Sequence, residues 1–230
     1  MIDQRYQRNI PSLSEEDCAL LGGKKVCVVG CGGLGGSVRE HLARIGVGEI
    51  TAIDGDVFDV SNLNRQLLSS EALIGKPKAA VAAQHIREIN SSVEVHPVES
   101  FLTEENADKL IAGHDLVIDA LDSPAARIVL SDACAKQGLT LIHGAVSGWN
   151  GQVAVVRPGS RLMENLYQGA EPDQSPSTLS FTPAIAASIE VAEAVKVLCG
   201  KPTQLESNML FFDLLTGDFN LFDITGLQNR

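Results

Sequence analysis

Between Lys24 and Asp122 the sequence sets glycines, amides, cations and carboxylates at intervals that suit a bound polyphosphate. Gly30, Gly32 and Gly35 fit the pattern G-x-G-x-x-G, with Gly33 inside it. In such a loop the first glycine allows a tight turn and the second lets the backbone approach a phosphate. The third lets helix and strand pack closely. The helix that follows offers unpaired N–H groups to the anion. About twenty residues on, Asp54 closes a second apolar run, where a carboxylate accepts hydrogen bonds from ribose hydroxyls. These features specify an adenine nucleotide without choosing between NAD or FAD and ATP.

The stretch after Asp54, GDVFDVSNLNRQ, bears on that choice. Arg65 can pair with phosphate oxygens through two parallel bonds, and the amides of Asn62 and Gln66 can donate to others. GKPKAA then places Lys76 and Lys78 at a helix start, where a cation opposes the macrodipole unless an anion compensates. Lys78 is therefore expected at a phosphate. Farther along, DALDS ends a strand with Asp119 and Asp122. A carboxylate beside a polyphosphate repels it unless Mg²⁺ lies between them. Asp122, the farther of the two, is assigned to the metal, and Asp119 either to the neighbouring backbone or to the site. An NAD- or FAD-dependent oxidoreductase would explain the glycines and Asp54, yet leave Arg65, Lys78 and Asp122 without a role. A nucleotide-binding scaffold without catalysis is the other alternative.

The elements that must carry these residues can be read from the apolar periodicity. A helix capped by Ser12 or Ser14 and stopped by Gly22-Gly23 precedes a strand over 25–29. That strand has no polar alternation, as expected for one buried on both faces of a parallel sheet. A helix over 36–45, a strand over 50–54, a helix over 76–89, a strand over 93–98 and a helix over 103–112 follow. A strand over 115–122, a helix over 125–137 and a strand over 140–144 complete the alternation, which predicts a doubly wound parallel sheet. Beyond residue 145 the pattern changes. GQVAVVRPG reads as an antiparallel strand, 159–180 as a polar, flexible loop, 183–198 as a helix, and the last apolar runs as a hairpin turning at Thr216-Gly217-Asp218. The fold class expected is α/β: a Rossmann-like, doubly wound, mainly parallel sheet continued by antiparallel C-terminal strands. One domain spans 1–230, with a nucleotide-binding half over about 22–145 and a second half over about 146–230.

Composition narrows the function classes. The net charge of −11 repels phosphate backbones and anionic lipids, so neither nucleic acid nor a membrane is expected as partner. No run approaches the roughly 18 apolar residues of a membrane span, and the first residues, MIDQRYQRNIPSLSEED, are too polar for a signal peptide. The five cysteines are scattered without a C-x-x-C pair, which reads as reduced structural thiols in a cytoplasmic protein rather than as disulfides or a four-cysteine zinc site.

Taken together, RYQRNI, VVGCGGLGG, IDGDVFDVSNLNRQ, GKPKA, DALDS and FTPAIAASIEVAEAVKVL resemble the ThiF/MoeB/HesA adenylyltransferases, relatives of the ubiquitin-activating enzymes, over nearly the whole chain. The resemblance implies an enzyme that uses ATP and Mg²⁺ to adenylate the C-terminal Gly-Gly carboxylate of a small ubiquitin-like sulfur-carrier protein. Asp54 would hold the ribose, Asn62, Arg65, Gln66 and Lys78 would surround the triphosphate, and Asp122 would bind Mg²⁺. Arg8, otherwise a surface charge, matches an arginine that in homodimeric members reaches the partner's γ-phosphate, so a homodimer is implied. Other members activate a carboxylate on tRNA or on a peptide; the acidic composition disfavours the tRNA version. The chain departs from the family in lacking two C-x-x-C pairs, so no structural zinc is expected. It also lacks any cysteine over 158–182, where other members form a thioester or persulfide. Adenylation alone, with sulfur supplied by another protein, is the expectation. The 159–180 segment would cover the carrier tail, with His143 and Trp149 either lining its groove or serving only in packing.

Overall fold

The structure, a computed structural model, describes residues 2–170 and 177–228. In chain order the strands are β1 (Lys25–Val29), β2 (Glu49–Ile53), β3 (Glu94–Val98), β4 (Leu116–Asp119), β5 (Leu141–Ser147), β6 (Asn150–Val156), β7 (Asn208–Asp213) and β8 (Asp218–Asp223). The helices are α1 (Glu15–Leu21), α2 (Gly33–Ile45), α3 (Lys78–Ile89), α4 (Ala107–Ile111), α5 (Pro124–Gln137), α6 (Leu162–Tyr167), α7 (Phe181–Leu198) and α8 (Thr225–Gln228). The strands form one sheet in the order β3-β2-β1-β4-β5-β6-β7-β8. Pairings from β3 through β5 are parallel and those from β5 to β8 antiparallel, as the change of pattern after residue 145 predicts.

Why the early strands read as unbroken apolar runs is visible in their packing. Val26 and Val28 of β1 face a layer formed by α2, α3 and α7, where Val38, Leu42, Ala83, Ile86, Val191 and Val195 are buried. Cys27 and Val29 face the opposite layer, with Ala107, Ile111, Leu130 and Ala133 from α4 and α5. Both faces are covered, so neither set of alternating positions can be polar. The chain reverses its strand order between β1 and β4, and the carboxyl ends of those strands open the crevice in which α/β sheets hold ligands.

Differences from the sequence reading have local causes. Ser14, not Ser12, caps α1: its side chain accepts from the Asp17 amide while Asp17 accepts from the Ser14 amide. The helix after the glycines starts at Gly33 because the glycine turn itself is its cap. The strand expected over 115–122 ends at Asp119, where Ala120 and Leu121 turn away over the end of β1. Within 159–180, Leu162–Tyr167 form α6, which buries Leu162 and Met163 against the α4–α5 layer. Two apolar side chains in one turn suffice to dock a helix too short to show a period. The rest of that predicted loop includes 171–176, which lie outside the described residues. Among the described residues no helix is long and apolar enough to cross a membrane.

Candidate functional site

A cavity of about 530 Å³ opens at the carboxyl ends of the parallel strands. Its floor is the glycine turn after β1. Gly30 has φ +99°, and a Cβ there would lie 2.3 Å from the Ala120 oxygen; a Cβ on Gly35 would lie 1.9 Å from the Gly30 oxygen. Only glycine lets the chain turn and α2 start so close to β1 and β4. Gly30, Gly32 and Gly33 line the cavity, and a Cβ on Gly32 would meet Gln66 Nε2 in ordinary contact at 3.8 Å.

Asp54 fixes this turn. One carboxylate oxygen accepts from the Cys31 amide at 2.6 Å and the other from the Asp56 amide at 2.8 Å, with the side chain still on the cavity wall. Lys78, only 6% exposed, sits at the first turn of α3 as predicted and lines the cavity. Its Nζ lies 2.7 Å from Asp56 Oδ2, and that ammonium holds the Asp56 carboxyl below the usual carboxylate range. The compensating anion that a cation at this helix start requires is therefore a side chain that the sequence reading did not single out. Arg65 lines the same wall, its Nη1 donating to the Ser61 oxygen and to Asn64 Oδ1, both at 2.9 Å. Gln66 is buried beside it, and among the described residues its Oε1 has no partner.

Across the cavity stands Asp122, exposed and without a hydrogen-bond or ion-pair partner among the described residues. Arg127, one turn into α5, and Tyr167, at the end of α6, complete this side. Arg127 donates to the Leu121 oxygen at 2.6 Å, faces Asp119 Oδ2 at 3.6 Å, and lies over the Tyr167 ring at 4.9 Å. Beneath them is a buried chain of polar groups. Asp119 accepts from the Leu121 amide at 2.9 Å and from His143 Nδ1 at 2.8 Å. His143 Nε2 accepts from the Tyr167 hydroxyl at 3.0 Å and lies 3.2 Å from Gln152 Nε2. Burial lowers the His143 pKa against the pull of Asp119, keeping the imidazole neutral. Next to this chain, Glu190 of α7 is fully buried, both oxygens unpartnered among the described residues, packed where a Cβ on Gly144 would touch its carboxyl carbon. Burial first, and the Asp119 charge second, raise its pKa well above the usual range.

The fold thus brings Gly30, Gly32, Gly33, Asp54, Arg65, Gln66, Lys78 and Asp122 to one cavity and leaves others elsewhere. Asn62 is buried outside the lining; its Oδ1 accepts from the Asp59 amide and stiffens the turn that presents Arg65 and Gln66. Gly35 acts behind the lining. Arg8 is exposed in a short 3-10 helix, Gln4–Asn9, whose Tyr6 packs on Gly46 and accepts from Asn90 at the opposite, amino-terminal edge of the sheet. Asp119 does bond the neighbouring backbone. His143 lies under the cavity rather than on its surface, and Trp149 meets Phe181 in a tilted ring contact, their centroids 5.0 Å apart and their planes at 47°, outside the lining. Asp56, Arg127 and Tyr167 were missed. Arg127 alone left a signal, one helical turn beyond Asp122 on a helix entering the site.

Known proteins resemble this chain over nearly its whole length. A "SAMP-activating enzyme E1" of Haloferax volcanii is 35% identical over 223 residues, covering 94% of this chain and 83% of that protein. A "Sulfur carrier protein adenylyltransferase" of Thermus thermophilus is 34% identical over 229 residues, covering 94% and 84%. An "Adenylyltransferase and sulfurtransferase MOCS3" of Arabidopsis thaliana is 33% identical, and this chain spans 51% of its length. The crystal structure of E. coli MccB with ATP superposes with a TM-score of 0.84 at 23% identity, covering 96% of this chain and 72% of that one, which shows a shared fold. The model of the ThiF family matches residues 6–229. With adenylyltransferases at this identity over nearly its full length, the chain belongs to the ThiF family.

Proposed function

We propose that this enzyme uses ATP and Mg²⁺ to adenylate the C-terminal carboxylate of a small ubiquitin-like sulfur carrier ending in Gly-Gly, for cofactor biosynthesis in the cytoplasm. The observation that carries this reading is the convergence of the glycine turn, Asp54, Arg65, Gln66, Lys78 and Asp122 on one cavity. The Gln66 amide, whose Oε1 has no partner among the described residues, and the glycine turn on the cavity floor suit a nucleotide there. A cation site in this cavity would use Asp122, because Asp54 and Asp56 are already engaged by amides and by Lys78. One free carboxylate suits Mg²⁺, which keeps several waters and takes phosphate oxygens as its other ligands.

In the reaction a carrier carboxylate oxygen bonds to the α-phosphorus of ATP, and the bond from that phosphorus to the bridging oxygen of the β-phosphate breaks. Pyrophosphate carries away the electron pair, and the carrier is left as an acyl-adenylate. No proton transfer is needed, because a carboxylate is already the nucleophile. The chain's own residues supply positioning and charge. Asp54 orients the ribose while bracing the glycine turn. The loop amides and Arg65 hold phosphate oxygens. Lys78 exchanges part of its pairing with Asp56 for the leaving phosphates. Bound Mg²⁺ would neutralise phosphate charge next to Asp122. Residues of about 22–145 form the nucleotide half. Residues of about 146–230 form the carrier half, a reading supported by the exposed Phe219, Leu221 and Phe222 on β8. Because Arg8 lies on the far edge from its own cavity, it would serve the cavity of a second copy in a homodimer.

The test is direct detection of the acyl-adenylate by intact mass of a Gly-Gly carrier incubated with enzyme, ATP and Mg²⁺. Asp122→Ala should fold normally and cut adenylate formation by at least about a hundredfold, the usual cost of losing a charge-stabilising group. Full adenylate formation by that variant would remove Asp122 from the site.

A further inference from the structure

Arg39, in the second turn of α2, is 1% exposed, yet among the described residues it makes no ion pair. One nitrogen, Nη2, donates to the Val28 oxygen at 2.8 Å, while among the described residues Nε and Nη1 meet no oxygen or nitrogen acceptor, only the neighbouring Cys31 thiol. Helical side chains lean toward the helix start, and this one does: a Cβ on Gly35 would fall 2.6 Å from Nη1. The guanidinium therefore lies behind the glycine turn, while Gly30, Gly32 and Gly33 face the cavity on its other side. The neighbouring thiols do not neutralise it. Burial pushes Cys27 up to about 12 and Cys31 up to about 11, so both stay uncharged at neutral pH beside the cation.

A buried charge with no counter-ion opposes folding. The surrounding positions, Val38, Leu42 and Ala43, show that an apolar side chain would suit this layer. What can compensate the charge is an anion arriving on the far side of the loop.

We propose that Arg39 is a positioning residue for the nucleotide's polyphosphate, its fixed charge drawing phosphates onto the Gly30–Gly35 amides without touching them. This rests on the ATP reading above and deepens it. The field of a buried charge is weakly screened by salt, and its effect grows with the charge on the ligand. It should therefore discriminate ATP from AMP, which a packing role would not.

The experiment measures dissociation constants for Mg-ATP and AMP by calorimetry on wild type, Arg39→Met, Arg39→Gln and Arg39→Lys, together with apo melting temperatures. Arg39→Met and Arg39→Gln should weaken ATP on the order of tenfold and AMP less than about threefold. Arg39→Lys should keep the wild-type ratio. Apo Arg39→Met should melt no lower than wild type, since an uncompensated charge is gone. If the methionine variant fails to fold, the glutamine and lysine variants decide by the same ratio. An ATP-to-AMP ratio unchanged in both neutral variants would overturn the proposal while leaving ATP binding intact. A wild type that binds no ATP would overturn the nucleotide reading itself.

Discussion

On one side of the cavity the groups are held by the backbone. The glycine turn is fixed by contacts with Ala120 and Gly30 main-chain atoms, Asp54 by two amides, Arg65 by the Ser61 carbonyl, and Lys78 by its place at the start of α3. On the other side Arg127 and Tyr167 rest on side chains from three different elements, Asp119 of β4, His143 of β5 and Gln152 of β6, with Glu190 of α7 buried beside them. The first wall tolerates almost no change in the backbone and should accept changes beneath it. The second has a generous backbone and an exacting set of buried partners. Building a phosphate site from main-chain amides requires glycines at fixed spacing, whereas building a polar wall from buried side chains requires only that each find a partner in space.

The largest effect expected is on the first wall. Gly35→Ala places a methyl against the Gly30 oxygen, and the turn and helix start cannot both persist. It should remove nucleotide binding altogether and cost several kcal/mol of stability, read by calorimetry and by urea denaturation. Retained ATP affinity in that variant would mean that the main chain does not build the phosphate site.

A smaller effect, and of a different kind, is expected under the second wall. Asp119→Asn leaves Arg127 and His143 without their carboxylate, which should cost about 3–5 kcal/mol of stability as a broken buried pair. ATP affinity should fall far less than in Gly35→Ala, so the two variants separate binding from stability. Equal losses of affinity would merge the two walls into one unit.

Glu190→Gln should sharpen the contrast most finely, because it removes one buried titratable group and changes almost no shape. The raised carboxyl keeps its proton in the folded state, whereas the unfolded chain releases it above about pH 4.3. Its contribution to stability is present below that pH and is lost as pH rises toward the raised value. The amide variant should therefore match wild type near pH 4 and exceed it by a margin that grows as pH rises toward 7, read by urea denaturation. His143, held below the usual imidazole range by burial, has the opposite sign: its contribution is present above the unfolded value and is lost as pH falls. Comparing variant with parent across pH cancels that shared term. A difference that does not vary with pH would mean that Glu190 is ionised in the folded protein.

The same contrast explains what the sequence made legible. G-x-G-x-x-G, a carboxylate about twenty residues later and an amide–arginine cluster are local strings, each demanded by main-chain geometry, so the first wall could be assembled on paper. The parallel sheet was readable for a similar reason, since covering both faces of β1 forces Val26, Cys27, Val28 and Val29 all to be apolar. Asp56 was not readable: an aspartate in a loop carries no sign that a lysine 22 positions later will pair with it. His143 and Tyr167 meet across 24 residues through a helix of six residues that shows no period, so neither α6 nor the network it completes left a pattern. Asn62 illustrates the converse, a side chain of the right type in the right string that the turn uses for its own capping.

The central claim is that the cavity spends ATP on a carrier's carboxylate. ATP–pyrophosphate exchange in Mg²⁺, run with and without a panel of Gly-Gly-ended sulfur carriers, tests it most directly. Exchange should appear only with a carrier bearing a free C-terminal carboxylate and disappear when the terminal glycine is removed. Tight ATP binding with no exchange on any carrier would contradict it and leave a nucleotide-binding protein whose carboxylate substrate, if any, lies elsewhere.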